Sequence, residues 1–204
     1  MSNSIYYDLI RCASFAAECH KHQTRKSDGG SYITHPLGVA KLIIEAGCNT
    51  PEVIMAAMLH DTVEDTDCTL EDIKREFGPV VANIVDEVSD DKSMDKISRK
   101  KKQCAHCPEI SKAAQFVKLG DKYHNLSDMK RMPPKGWSVE RVQGYFLWAL
   151  TIVDKIKGAN ETLANAIFDL SKGTFNLEGT EYPCVSNDMT LEKYYKILGA
   201  SLEK

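Results

Sequence analysis

Ala57-Met58-Leu59-His60-Asp61-Thr62-Val63-Glu64-Asp65-Thr66 is the stretch that decides how this chain reads. Seven residues upstream stands Thr50-Pro51, a helix start: Thr50 is a capping residue, and Pro51 takes the first helical position, where its missing N–H costs nothing. The helix that begins there is predicted to run to about Glu64. Each residue advances the helix by ~100°. With His60 at zero, Glu64 falls near ~40°, Asp61 near ~100° and Asp65 near ~140°. Four ionisable side chains thus share one sector. Ala57, near ~60° and one turn earlier, leaves room above them. Ile54, Met55, Met58, Leu59 and Val63 form the core-directed side. Three acids beside a histidine repel one another and resist desolvation, and a divalent cation removes both problems. Mixed nitrogen and oxygen donors suit Mn, Fe, Co or Zn better than Ca. The rival reading is a solvated acidic helix end with a chance histidine; the close apolar flanks favour the cation.

Outward from this stretch the apolar spacing stays helical, with no convincing alternating strand. One helix is predicted over about Ser4 to Lys21, with Ile5, Leu9, Cys12, Phe15, Ala16 and Cys19 on one stripe. His35 precedes Pro36 and is placed at the cap of a helix running to Ala46, closed by Gly47. Thr69 caps the next helix, with Asp72 as a weak capping box, and Gly78-Pro79 ends it. Further helices are predicted over Val80 to Val88, the second half of Asp90 to Gln103, Lys112 to Met129, Ser138 to Lys157 and Glu161 to Lys172. The run Met132-Pro133-Pro134-Lys135-Gly136 separates two of them. Thr174 to Asp188 reads as loop, and Met189 to Leu202 as a short amphipathic helix. The expected architecture is an all-α multi-helix bundle: one domain over 1–173 and a C-terminal extension over 174–204.

Composition narrows the function classes. The chain has 204 residues, room for one full core; 43% hydrophobic and 27% charged residues exclude a disordered chain. A net charge of −3 offers no global field to recruit nucleic acid, so an anionic substrate needs a local cationic cluster. Cys12, Cys19, Cys48, Cys68, Cys104, Cys107 and Cys184 are odd in number and scattered, and read as free thiols in a reducing compartment. The N-terminus lacks a basic start and apolar run, and no apolar run nears the roughly 20 residues that span a bilayer. The expectation is a cytoplasmic protein without membrane or nucleic-acid partners.

A cation needs more ligands than His60 and Asp61. His35, beside the Gly-rich loop Arg25 to Ser31, is one candidate, although a lone histidine before proline is more often an ordinary cap. Asp121 is the other. It lies on a helix with Ala114, Val117, Leu119 and Leu126 as apolar positions, and Lys118 and Asn125 can share its face. A Lys118–Asp121 surface pair is the plainer alternative.

His35, His60-Asp61 and the distant Asp121 resemble the His…His-Asp…Asp signature of HD-domain phosphohydrolases. Tyr32-Ile33-Thr34-His35-Pro36, the stretch Ala57 to Thr66, Val117-Lys118-Leu119-Gly120-Asp121-Lys122 and Gly136-Trp137-Ser138…Arg141-Val142-Gln143-Gly144-Tyr145-Phe146 are similar to the hydrolase domain of RelA/SpoT proteins. Size and local wording point to the stand-alone metazoan SpoT homologues, over roughly Tyr6 to Gly173. The resemblance implies an HD-domain bundle and an Mn-dependent 3′-pyrophosphohydrolase acting on ppGpp and pppGpp. It implies one Mn²⁺ per chain, held by His35, His60, Asp61 and Asp121, with Glu64 and Asp65 as catalytic acids. It also implies NADPH 2′-phosphatase chemistry as an alternative on the same site. Glu64, within one turn of both helix ligands, can take a proton from a water or orient it, and Asp65 can position that water or protonate the leaving oxygen.

Substrate grip is expected from Arg25, Lys26, Tyr32, Lys118, Asn125, Arg141 and Tyr145. Arg25 and Lys26 lie in the loop before His35 and suit phosphate, though solvated loop charge is the plain alternative. Arg141 and Tyr145, at i and i+4, offer a guanidinium beside a ring. The basic run Lys92 to Lys102 reads chiefly as a solvated helix face. Cys104-Ala105-His106-Cys107 is half of a zinc pattern without a second half, and His20, His22 and His124 read as ordinary. Gly120 stands where members of the family carry alanine, at about 1 kcal/mol of helix stability. A non-catalytic nucleotide-binding module would fit loss of Glu64 or Asp65, and both are present. Alarmone synthesis is not expected, because no synthetase domain follows.

Overall fold

The computed structural model describes residues 4–200; the first three residues and the predicted helix end at Leu202 lie outside them. Helices dominate: α1 (Ile5–Cys19), α2 (Thr34–Glu45), α3 (Pro51–Leu59), α4 (Thr62–Asp65), α5 (Leu70–Phe77), α6 (Pro79–Val88), α7 (Lys96–His106), α8 (Lys112–Arg131), α9 (Val139–Ile156), α10 (Glu161–Ser171) and α11 (Leu191–Ala200). A two-stranded hairpin, β1 (Thr174–Leu177) and β2 (Thr180–Pro183), precedes α11. Cα proximity divides the chain into two compact units. The first takes in Gly29–Asp91, Ile110–Asp121 and the chain up to Arg25; the second takes in Lys26–Asp28, Lys92–Glu109 and the chain from Lys122 onward.

In the first unit α3 is the central element. Every residue from Val53 to Leu59 is buried, as befits a helix that is apolar all round, and α1, α2 and α6 pack against it. Cys12, Ala16, Val39, Ile43, Ile73, Val85 and Val117 complete this core. The Thr69–Asp72 capping box is formed, with both reciprocal hydrogen bonds. Gly120 has a packing reason. A Cβ there would lie 2.8 Å from Ile43 Cγ2 and 3.1 Å from Val39 Cγ1, so the missing side chain lets α8 close on α2.

Two boundaries differ from expectation. The helix predicted to reach Glu64 stops at Leu59 and restarts at Thr62. Side chains take the carbonyls that a continuous helix would use: His60 Nδ1 bonds Ala57 O at 2.8 Å, and Thr62 Oγ1 donates to Leu59 O at 2.7 Å. His35, predicted at the cap, is the second residue of α2, whose N-cap is Ile33; proline is tolerated anywhere in that first turn, where N–H groups lack intrahelical partners.

In the second unit α9 is central. Ser138 caps it, its side chain accepting from Arg141 N, and α7, α10 and α11 pack against it. Phe146, Trp148, Ile152, Ile156, Ile167, Phe175, Tyr194 and Leu198 are buried. Trp148 satisfies its indole by donating to Lys100 O at 3.1 Å.

The stretch expected to be loop contains the hairpin, paired Thr174↔Pro183 through Leu177↔Thr180. Glu178 (φ 52°) and Gly179 (φ 87°) make the two-residue connection, both in the left-handed region that a type I′ turn demands. Four-residue strands with one buried side chain, Phe175, are too short to alternate visibly, and Glu-Gly lacks the usual Asn-Gly or Asp-Gly signal. All seven cysteines are free. Cys104 and Cys107 are buried, and among the described residues they join no group that could hold a metal.

Candidate active site

The interruption between α3 and α4 makes the site. His60 closes α3 and Asp61 opens α4, so both side chains leave the helical barrel at a junction. The bond from His60 to Ala57 O requires a hydrogen on Nδ1 and turns the Nε2 lone pair outward. That Nε2 is buried and has no hydrogen-bond partner, although Asp61 Oδ2 lies 3.1 Å and Asp121 Oδ1 3.7 Å away. His35 Nε2 lies 3.2 Å from Asp121 Oδ1 and 3.5 Å from Asp61 Oδ2. Donor atoms of His35, His60 and Asp121 all fall within 4.8 Å of one another. Two buried imidazoles, two carboxylates and an orphaned lone pair fit a divalent cation.

Electrostatics agree with that fit. Burial pushes the His35 pKa down. Burial also opposes charge on His60, yet Asp61 and Asp121 hold its pKa well above the ordinary value. For Asp61, burial opposes ionisation and His60 outweighs it, keeping the carboxyl well below the usual range. Metal-free, a proton on His60 offsets part of the charge of the two carboxylates; a cation would take that place.

Tyr32 is brought to this cluster as a brace. Its hydroxyl donates to Asp61 Oδ2 at 2.6 Å, its ring edge meets His35 at 5.7 Å, and Arg25 stacks over its face at 5.5 Å. Burial first and Asp61 second hold the phenol far above its ordinary pKa, so it stays a donor. Lys118 is buried rather than paired at the surface, and donates to Val88 O at 3.2 Å.

Glu64 and Asp65 part company at the end of α4. Glu64 Oε2 accepts from the backbone N–H of Asp90 at 3.3 Å. Burial, then the charges of Asp90, Asp61 and Asp65, push its pKa to about 7. Asp65 is more exposed and accepts from Gln23 Nε2 at 3.2 Å. Asp90 escaped the sequence reading because it acts through its backbone and charge in a stretch expected to be irregular.

In the second unit Arg141 stacks over Trp137 at 4.2 Å, and its buried Nε has no hydrogen-bond partner. Tyr145 touches Trp137 and Trp148, with Lys100 Nζ 4.9 Å from its ring. The structure adds Lys96 to this region. Burial, then Arg141, Lys26 and Arg99, lower its pKa. Lys26 and Arg141 are thus brought together around a lysine that the sequence placed on a solvated face. The available signal was its position, the first residue of a helix capped by Asp95, where a cation opposes the helix dipole. Asn125 is half-buried on the same unit's part of α8.

Comparison with known proteins agrees with this geometry. Residues 12–144 match the HD domain family. The chain is 50% identical over 157 residues to the guanosine-3′,5′-bis(diphosphate) 3′-pyrophosphohydrolase of Xenopus tropicalis, covering 76% of this chain and 88% of that one. It is 46% identical to the Homo sapiens protein of that name, covering 80% and 93%. A solved structure of a metazoan ortholog of SpoT, described as hydrolysing ppGpp and acting in starvation responses, superposes with a TM-score of 0.79. That match has 38% identity and covers 83% of this chain and 96% of that one. Among the described residues no helix is long and apolar enough to cross a membrane. With the buried His-Asp cluster at its centre, the chain belongs to the HD-domain family, in the branch of the metazoan SpoT orthologues.

Proposed function

We propose that this protein hydrolyses the 3′-pyrophosphate of guanosine-3′,5′-bis(diphosphate), ppGpp + H₂O → GDP + pyrophosphate, with one Mn²⁺ held by His35, His60, Asp61 and Asp121. The observation that carries this reading is the convergence of two buried histidines and two carboxylates on an orphaned His60 Nε2, with Glu64 at the end of the adjoining helix. Relatives at 46–50% identity named for this activity support it. When bound, the cation neutralises phosphate oxygens and eases the loss of a proton from water.

The chain's own residues supply the rest. Glu64, with a pKa of about 7, accepts and returns a proton near neutral pH. Asp65 orients the attacking water. Lys26 and Arg141 lower the pKa of Lys96, and an anion among these cations would relieve that, which suits phosphate oxygens. The faces of Trp137 and Tyr145 suit a purine. Arg25, stacked on Tyr32, and Lys118 and Asn125 are assigned to the same substrate. Seven free thiols support a cytoplasmic location.

The test is product analysis with Mn²⁺. GDP and pyrophosphate from ppGpp, at a higher kcat/KM than NADH and phosphate from NADPH, is the expected result. NADPH turnover alone would overturn the substrate assignment.

A further inference from the structure

Gln23 belongs to none of the motifs that define the site, yet its side chain reaches the site through two directed bonds. Nε2 donates to Asp65 Oδ2 at 3.2 Å, and Oε1 lies 2.7 Å from His20 Nδ1. The amide oxygen can only accept, so His20 Nδ1 carries the hydrogen. Turning the amide over would set its oxygen against the Asp65 carboxylate. His20 itself is fixed. It is 1% exposed and its ring packs 4.9 Å from that of Tyr32.

The backbone is fixed as well. Gln23 N donates to His20 O at 2.9 Å, and Tyr32 N donates to Gln23 O at 3.0 Å. The next pair inward, Thr24 and Ser31, forms a β-bridge, and Arg25 N donates to Gly30 O at 2.8 Å. Gln23 and Tyr32 therefore face each other at the neck of a closed loop. From that neck Tyr32 holds Asp61, just before α4, and Gln23 holds Asp65, the last residue of α4. One brace grips both ends of the helix that carries Glu64.

We propose that Gln23, locked by His20, is a positioning residue that sets the rotation of the Asp65 carboxylate relative to the cation ligand Asp61. The inference rests on the reading of Asp65 as a catalytic group. His20, an ordinary histidine by sequence pattern, acts here as the support that orients the amide.

The test is a double-mutant cycle on ppGpp hydrolysis with Gln23→Met, which keeps the bulk and removes both amide groups, and Asp65→Asn. Gln23→Met alone should lower kcat by about 10- to 100-fold, in the range lost when an oriented group is misplaced. KM and divalent-cation affinity should stay within about twofold, because Tyr32 still holds Asp61. In the Asp65→Asn background, Gln23→Met should cost nothing further. His20→Phe, which keeps a ring against Tyr32, should reproduce the kcat loss. A normal kcat in Gln23→Met beside an impaired Asp65→Asn would overturn this proposal and leave the role of Asp65 intact. A normal rate in Asp65→Asn would overturn both. An equal Gln23→Met loss in both backgrounds would show that Gln23 acts elsewhere.

Discussion

His35, His60, Asp61 and Asp121 in the first unit bring charges of both signs together, in His–Asp pairs 3.1–3.7 Å apart. In the second, Lys26, Arg99 and Arg141 bring positive charge to Lys96 and lower its pKa. The first cluster is built from helix junctions and buried rings, and backbone and phenol bonds fix its donors. The second draws on a loop, the first turn of α7 and the first turn of α9, and its other cations disfavour the charge on Lys96. A cluster with a surplus of carboxylate suits a cation. Cations gathered around Lys96 suit an anion. On the proposed function the first cluster serves the chemistry and the second grips the substrate, and each kind of residue should fail in its own way.

The largest effect should follow loss of a ligand. Asp61→Ala also frees Tyr32, and should remove cation binding and at least about 10³-fold of turnover, read by metal content and kcat. Glu64→Gln should keep the cation and lose about 10²- to 10⁴-fold in kcat, the range for a general acid or base. Arg141→Ala and Lys96→Ala should leave kcat within a few fold and raise KM by about 10- to 100-fold, which is lost ground-state grip. A kcat collapse in Lys96→Ala with unchanged KM would erase the contrast between the clusters.

Two smaller effects concern stability. Glu64 has a folded pKa of about 7 against 4.5 for the free group. The folded state therefore binds the proton more tightly, and metal-free stability falls as pH rises from about 4.5 to 7. The shift corresponds to roughly 3 kcal/mol at most. Metal-free Glu64→Gln should melt above wild type at pH 8 and together with it near pH 4. Gly120→Ala gains about 1 kcal/mol of helix propensity but drives a methyl against buried Val39 and Ile43, where overpacking costs about 1–3 kcal/mol. The net is a loss of about 1 kcal/mol, checked by denaturant unfolding.

Helix-level features were legible because caps and apolar spacing are local. Thr69-Asp72, Ser138 and the all-apolar Val53–Leu59 declare themselves in the sequence. His35, His60, Asp61 and Asp121 were legible as four residues of a type that can hold a cation, and the structure brings them together, although the helical wheel set His60 and Asp61 on one continuous helix with Glu64 and Asp65. A continuous helix does not carry His60 and Asp61 into the site; a break does, made by side chains capturing carbonyls of the preceding turn. What stayed hidden was relational. Gly120 looks like a defect until α2 is beside it, Lys96 like surface charge until Arg141 is near, and Gln23 like loop until His20 orients it.

The most direct measurement is ppGpp hydrolysis by purified protein stripped with chelator and then titrated with Mn²⁺. The account predicts that activity disappears with the metal and returns in proportion to bound Mn²⁺, saturating at one ion per chain. Hydrolysis that survives complete metal removal would contradict it.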